Sequence, residues 1–353
     1  MKPTVFFRFI TELYLKSFFI IFISLVAFFV GIDLLLNFND LPKSANLILL
    51  YIMFLSFSAI SYILPISLIF SMILAFVSIL RTNELVSLFA LGLSKKFIIL
   101  YPFLWALFFC FLYVGLNFTS FAYADDYRSN IKSNSVLAST SSDVFVKYND
   151  DFVYIQELNP NDNSVKNIRI FNMQDFNLSS LTKADRANFK DDAWILEKGL
   201  RLDFDNNIIL FNDGFKSNDF NFSEELQGFK PKVIESATPQ KSYSIIDAWQ
   251  SFQTFNSQNI NTNSIRTELY RLILLPFFAP FLMLILYSYF PLISRYFNLA
   301  FLSFIFFIVT LGVWGSLFLL TRLAENSVLL PEFAIIVPIC LLALFSMILY
   351  AKQ

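Results

Sequence analysis

The chain has 353 residues, of which 56% are hydrophobic, 18% aromatic and only 15% charged. A soluble domain of this composition would expose large apolar patches and aggregate, so the sequence predicts an integral membrane protein. The absence of histidine excludes histidine-based acid–base catalysis and the commonest zinc ligand. The two cysteines, Cys110 and Cys340, lie in predicted spanning helices, where we interpret them as apolar residues that form no disulfide.

The net charge of −1 is unevenly distributed along the chain. Residues 123–268 carry 15 Lys+Arg and 21 Asp+Glu, whereas the remaining residues carry 11 and 6. A basic membrane part beside an acidic insert is the distribution that the positive-inside bias and a solvated external domain produce. The sequence therefore predicts a central domain outside the cytoplasm, flanked by two membrane domains.

The first half of the chain contains three apolar segments long enough to cross a bilayer. They cover residues 17–36, 45–80 and about 97–121. The second is longer than one crossing needs, and Pro65 leaves two possibilities: one long kinked helix, or an interfacial piece followed by a span. Asp33, the only acid in the first segment, could cap the helix end or make a polar contact with a partner helix or substrate.

The loop at residues 81–96 has a pattern that a simple turn would not need. Leu85, Leu88 and Phe89 recur at helical spacing and predict a short amphipathic helix with one apolar face. Glu84 lies at its start, where a carboxylate stabilises a helix. Lysines and arginines flank this loop and the N-terminal helix, which places both in the cytoplasm. The loop therefore predicts a docking site for a cytoplasmic partner.

Residues 123–265 form the predicted periplasmic insert, and their pattern is β-rich. Hydrophobic residues alternate with polar ones at Val144, Val146 and Tyr148 and in several later segments. Short strands separated by polar turns predict an all-β, jelly-roll-like domain whose outer edges could accept a partner's strand. A helix-like segment at 245–249 follows the strands.

Residues 266–353 contain three further spans, the first interrupted by Pro276 and Pro280. The predicted fold class is therefore an α-helical membrane protein with six transmembrane helices, arranged three plus three around the inserted domain. The membrane domains cover residues 1–122 and 266–353. The charge bias places both termini in the cytoplasm.

Catalytic and nucleotide-binding motifs are absent from the sequence. No GxxxxGK[ST], HExxH or GxSxG pattern occurs, and there is no ligand cluster of cysteine with histidine. The chain is thus predicted to be a non-enzymatic protein without a metal or cofactor of its own and without a nucleic-acid partner.

Three stretches carry a resemblance to a known family. They are LPISLIF (64–70), NELVSLFALGLS (83–94) and TELYRLILLP (267–276). In this order and spacing they resemble the LptF/LptG permease family of the lipopolysaccharide export ABC transporter, and the resemblance covers the whole chain. The run GIDLL (31–35) is more similar to the LptG branch, although apolar Val30 lies near the position where some LptG proteins have a lysine.

The resemblance implies several partners. A paralogous permease subunit would complete a heterodimer, and it would be LptF if this chain is LptG. An LptB-like ATPase dimer would bind the ATP, and LptC- and LptA-like periplasmic jelly rolls would receive the lipopolysaccharide. The resemblance also implies that loop residues couple ATP hydrolysis to transport, namely Glu84, Leu85, Leu88, Gly92 and Ser94.

Lipopolysaccharide carries phosphates, so cations near the outer ends of the spans are candidate contacts. Arg128 matches basic positions that follow the third span in LptG proteins. The remaining candidates rest on location or on a matching motif: Asp33, Lys43, Arg266, Glu268, Arg271 and Arg322.

Two other classes of function are open at this point. The insert could be the partner-binding domain of a membrane-anchored sensor or assembly factor. The chain could also be a permease of the macrolide-exporter type, but such permeases usually have one span before a large external domain, and the three-plus-three arrangement argues against that class.

Overall fold

The computed structural model describes residues 3–134, 141–149, 151–159, 162–174, 177–204, 216–231, 234, 242–257, 261–291 and 298–352. The chain divides into two compact units, one comprising Met1–Asp125 with Asn263–Gln353 and the other Asp126–Thr262. The first unit consists of helices, and the second contains a β-sheet.

The long helices of the first unit are apolar over most of their length. In chain order the described helices are α1 (Pro3–Leu36), α2 (Ala45–Arg81), α3 (Glu84–Ala90), α4 (Lys95–Leu116), α5 (Ala124–Asn134), α6 (Ile245–Ser257), α7 (Asn263–Ile273), α8 (Phe278–Ser288), α9 (Leu299–Glu325) and α10 (Val337–Lys352). A π-helical turn, Glu332–Ile336, leads directly into α10.

Within the described residues, five helices are long and apolar enough to cross a membrane. Helix α7 and the segment Leu275–Ser288 form a sixth candidate, bent by 44° at the break between them. Pro276, which has no backbone N–H to donate within a helix, lies just after this break, in the 3₁₀ turn Leu275–Phe277. Five to six apolar spans interrupted by an antiparallel sheet confirm the predicted fold class.

Helix α2 is the central element of the helical unit. It runs through Pro65 as one helix of 37 residues, so this segment is a single long helix and not an interfacial piece followed by a separate span. In its most apolar window 78% of the residues are buried, against 6% in α1. Helices α1, α4, α8 and α9 all contact α2, which places the core of this unit around its length.

The ends of two spans differ from the sequence-based boundaries. Helix α4 ends at Leu116, several residues before the predicted end, and a 3₁₀ turn at Ser120–Tyr123 follows. The apolar pattern predicts the end of the fifth span at about Leu320, but helix α9 continues to Glu325, so Arg322 lies in its last turn. Apolar patterning marks the middle of a span more clearly than its ends, because polar residues occur on both sides of the membrane interface.

The second unit contains one six-stranded antiparallel sheet with the strand order β1–β2–β3–β4–β5–β6. Its strands are β1 (Ser141–Tyr148), β2 (Asp151–Asn159), β3 (Ser164–Gln174), β4 (Asn177–Lys190), β5 (Ala193–Asp203) and β6 (Lys216–Glu225). Each described strand pairs with its neighbour in sequence, which makes the sheet a meander.

The alternation predicted for β1 is present in the structure. Val144, Val146 and Tyr148 are buried, while the residues between them are exposed. The ring of Tyr148 stacks on Phe229, with 4.1 Å between the ring centroids. Trp194 is fully buried, and its Nε1–H donates a 2.6 Å hydrogen bond to the Phe229 carbonyl. These contacts attach the chain after β6 to the buried face of the sheet.

Candidate functional site

Helix α3 lies between the second and third spans, where the sequence predicts a short helix. Asn83 precedes it in the left-handed conformation with φ 61°, and Glu84 is its first residue. A carboxylate in the first helical turn interacts favourably with the positive end of the helix dipole. Leu85 and Leu88 are 2% and 6% exposed, and they belong to the same hydrophobic core as α1, α2, α4 and α8.

The apolar face of α3 therefore packs against the helical unit itself. The prediction that this face docks a partner directly does not fit the geometry, because Leu85 and Leu88 are covered by the chain's own core. The opposite face is the accessible one, with Val86 at 40% and Leu91 just beyond the helix at 62% exposure. Periodicity locates an apolar face but does not say which surface covers it.

The end of α3 is a Schellman motif. The Gly92 N–H donates to the Phe89 carbonyl at 2.9 Å, and the Leu93 N–H donates to the Leu88 carbonyl at 3.2 Å. Gly92 has φ 82°, a conformation that costs residues with a Cβ. No atom lies within 4 Å of the position a Cβ would take, so backbone conformation, not space, favours glycine here.

Helix α4 begins at the end of this turn. The Ser94 Oγ accepts a 3.3 Å hydrogen bond from the Phe97 N–H, which makes Ser94 the N-cap. One compact connection thus contains all five predicted coupling residues. Glu84 begins α3, and Leu85 and Leu88 form its buried face. Gly92 ends α3, and Ser94 caps α4.

Lys95 and Lys96 follow Ser94 and belong to the excess of cations that predicts a cytoplasmic location for this loop. Their side chains donate hydrogen bonds to backbone carbonyls of other helices. The sequence does indicate that these lysines need partners elsewhere, because two cations in the first turn of a helix oppose its dipole.

The opposite end of the helical unit carries the polar residues proposed as lipid contacts. Arg266 donates a 2.6 Å hydrogen bond to Glu332 Oε1, and Tyr270 donates to the same oxygen at 3.3 Å. Arg266 also donates to the Asn263 side chain at 2.6 Å. These contacts connect the start of α7 to the start of the last span.

The pair Glu268 and Arg271 lies deeper in the unit. Arg271 donates two hydrogen bonds to the Glu268 carboxylate, of 2.5 and 2.7 Å, and Glu268 is 8% exposed. Arg271 lines a cleft whose walls come from α2, α4, α7 and α9, and whose other members include Tyr62, Tyr113 and Trp314. The cation is thus neutralised by its neighbour one helical turn away.

The remaining candidates are more dispersed. Arg322 donates a 2.7 Å hydrogen bond to Glu325, lies 5.2 Å from the Phe318 ring centroid and lines the same cleft as Arg271. Lys43 is exposed between α1 and α2. Arg128 is on α5 and belongs to the second unit. The structure therefore brings Arg271 and Arg322 to one cleft.

Asp33 lies near the end of α1 and accepts a hydrogen bond from Tyr51 of α2. Among the residues that the structure describes, no group of three or more His, Cys, Asp or Glu side chains is arranged to hold a metal ion.

The chain thus combines a helical unit of five to six candidate spans, a short helix between its second and third spans, and an antiparallel sheet inserted after the third. The chain belongs to the family Lipopolysaccharide export system permease LptF/LptG, which matches residues 8–352. It is therefore a permease of the lipopolysaccharide export ABC transporter class and a multi-pass protein of the inner membrane. No curated protein matches the chain.

Proposed function

We propose that this chain is an LptG-type subunit that extracts lipopolysaccharide from the inner membrane and passes it to a periplasmic bridge of jelly-roll proteins. It acts with a paralogous LptF-type permease subunit. A separate LptB-like ATPase dimer hydrolyses the ATP, and this chain is non-catalytic and has no cofactor of its own.

The observation that carries this proposal is the packing of α3, with one face buried and the other exposed. Its inner face, Leu85 and Leu88, is buried in the helical unit, and its outer face, including Val86, is exposed. A helix held in this way can receive a force on one face and pass it to the unit through the other, because packed interiors transmit displacement. This is the mechanical requirement for a subunit that is driven by an ATPase on a separate chain.

The proposed orientation places α3 and both termini in the cytoplasm and the sheet in the periplasm. Lysines and arginines around α3 and the N-terminal helix support it, since cytoplasmic loops carry an excess of these residues.

The geometry ranks the proposed lipid contacts. Each of the three arginines pairs with a carboxylate. Arg322 is the best supported because 56% of its side chain is exposed, whereas Arg266 and Arg271 are 26% and 25% exposed. Lys43 stays a candidate by location, and Arg128 stays one by its match to basic positions that follow the third span in LptG proteins. Asp33 and Glu268 accept hydrogen bonds within the unit, so we assign them to positioning their partners.

The test is reconstitution of this permease with its paralogue and the ATPase in proteoliposomes containing lipopolysaccharide. ATP should drive release of lipopolysaccharide to a soluble jelly-roll acceptor. The double variant Glu84→Ala, Val86→Asp should lose ATPase binding and release, whereas Val328→Asp, at a more exposed valine on the opposite end, should retain both. Normal ATPase binding and release by the α3 variant would overturn the coupling assignment.

A further inference from the structure

The first turn of α4 contains Lys95 and Lys96 and no acidic residue. The N-terminal end of a helix carries a partial positive charge, so two lysines here are electrostatically unfavourable unless other groups stabilise them. The C-terminal end of a helix supplies such groups, because its last carbonyls have no partner within the helix. Each lysine reaches the C-terminal end of a different helix.

Lys95 contacts the end of α8. Its Nζ donates to the Ser288 carbonyl at 2.8 Å and to the Phe290 carbonyl at 3.2 Å. The same Nζ lies 5.4 Å from the centroid of the Tyr287 ring, within the range of a cation–π interaction. One ammonium group therefore caps the last turn of α8 and contacts the aromatic residue that precedes it.

Lys96 repeats this arrangement at the end of α10. Its Nζ donates to the Ala351 carbonyl at 3.0 Å and lies 5.7 Å from the centroid of the Tyr350 ring. In both cases the lysine engages a tyrosine ring and the backbone carbonyl of the following residue. Two adjacent lysines thus join the start of the third span to the ends of the fourth and sixth spans.

Only a few residues separate the two lysines from the end of α3. Ser94 caps α4 directly before the lysines, and the Schellman turn at Gly92 ends α3 directly before Ser94. Both turns are closed by backbone hydrogen bonds, so α3 and the two lysines are joined without a flexible linker. Helices α8 and α10 also contact each other extensively, so they can respond as one body.

We propose that Lys95 and Lys96 form a two-lysine relay that transmits the displacement of α3 to the second three-span half of the permease. The inference rests on the proposed function and deepens it. Leu85 and Leu88 act through the shared hydrophobic core, and the relay adds a polar connection to the ends of α8 and α10 in the second half. Lys95 is the principal positioning residue, since it holds two carbonyls where Lys96 holds one.

The functional test measures lipopolysaccharide released per ATP hydrolysed by the complete complex. Lys95→Met preserves the length of the side chain without its charge, and we expect the ratio to fall about tenfold because charge-assisted hydrogen bonds are lost. Lys95→Arg should restore most of the ratio. Lys352→Met, which removes an exposed lysine beside Ala351, is the matched control and should leave the ratio unchanged. A normal ratio for Lys95→Met would overturn the relay.

A second measurement does not depend on lipid transport. Spin labels at Val86→Cys and Tyr289→Cys report the distance from α3 to the end of α8 by pulsed electron resonance, with Cys110→Ala and Cys340→Ser removing the native thiols. We expect a narrow distribution that Lys95→Met broadens, whereas a Phe7→Cys, Val86→Cys pair within the first half keeps its width. Equal widths with and without Lys95 would contradict the relay.

The two measurements separate the two proposals. If the wild-type complex releases no lipopolysaccharide while the labels show Lys95-dependent coupling, the proposed function fails and the relay stands. If release is normal and the labels are insensitive to Lys95, the relay fails alone.

Discussion

The hydroxyl of Tyr51 donates a 2.5 Å hydrogen bond to the Oδ2 atom of Asp33, which connects the end of α1 to the first turns of α2. Tyr51 is fully buried although its ring carries a polar atom. A buried hydroxyl requires a partner, and the only acid of the first apolar segment supplies it. The contact assigns Asp33 to a neighbouring helix of the same chain.

Loss of this contact should lower the stability of the helical unit. We expect Tyr51→Phe to reduce the free energy of unfolding by about 1.5–3 kcal/mol, the usual contribution of a hydrogen bond to a charged group. Denaturant unfolding in detergent would measure it, with Tyr289→Phe, an exposed tyrosine, as the control. A double-mutant cycle with Asp33→Asn should show coupling, and additive effects would disprove the assignment.

The Schellman turn predicts an order of tolerance at Gly92. Valine should destabilise the connection by about 1–2 kcal/mol, because left-handed backbone is costly for residues with a Cβ, and asparagine should cost less. Thermal unfolding of the purified permease would rank the variants.

Gly115→Ala in α4 is the matched control for this series. A Cβ at position 115 would also meet open space, and Gly115 does not have a positive φ, so the alanine should be neutral or slightly stabilising. If asparagine were as harmful as valine at position 92, conformation would not be the cause.

The Glu268–Arg271 pair predicts that removing one charge destabilises the protein more than removing both. Glu268→Gln leaves the Arg271 cation without its carboxylate in a mostly buried position, which should cost about 3–5 kcal/mol. The double variant Glu268→Gln, Arg271→Met removes both charges and should recover most of that loss. Detergent stability and membrane abundance are the readouts, and a double variant as unstable as the single one would argue against charge burial as the cause.

Gly199 predicts a packing defect in the sheet. It lies opposite Phe220 on the next strand, and a Cβ there would collide with that ring and with the Lys183 carbonyl. Gly199→Ala should therefore destabilise the insert by about 1–3 kcal/mol, as overpacking does. Limited proteolysis of the full chain should show earlier cleavage between 126 and 262, while Gly312→Ala, which meets no neighbour, should digest like the wild type. Unchanged digestion of Gly199→Ala would mean that the strands shift apart without cost.

The sequence contains enough to predict the spans, the insert and the short helix α3. Apolar length identifies a spanning helix because the bilayer thickness is fixed, and two-residue alternation identifies strands such as β1. Gly92 and Ser94 were also identifiable, since helix ends have local chemical signatures.

Contacts between distant segments were not predictable in the same way. Nothing in the order of residues indicates that Lys95 meets Ser288 or that Arg266 meets Glu332, because such pairs depend on how helices are arranged side by side. The surface that covers the apolar face of α3 is unpredictable for the same reason. Its spacing defines an apolar face, and only the packed structure shows that this face is already covered.

The meander topology of the insert bears on how the protein is made. Every described strand pairs with the strand before or after it in the chain, so the sheet closes through local contacts. Local contacts form quickly, and domains fold as units while synthesis proceeds from the N-terminus. The insert can complete its sheet while the ribosome is still producing α9 and α10. The last two spans would then enter the membrane after the sheet has already formed.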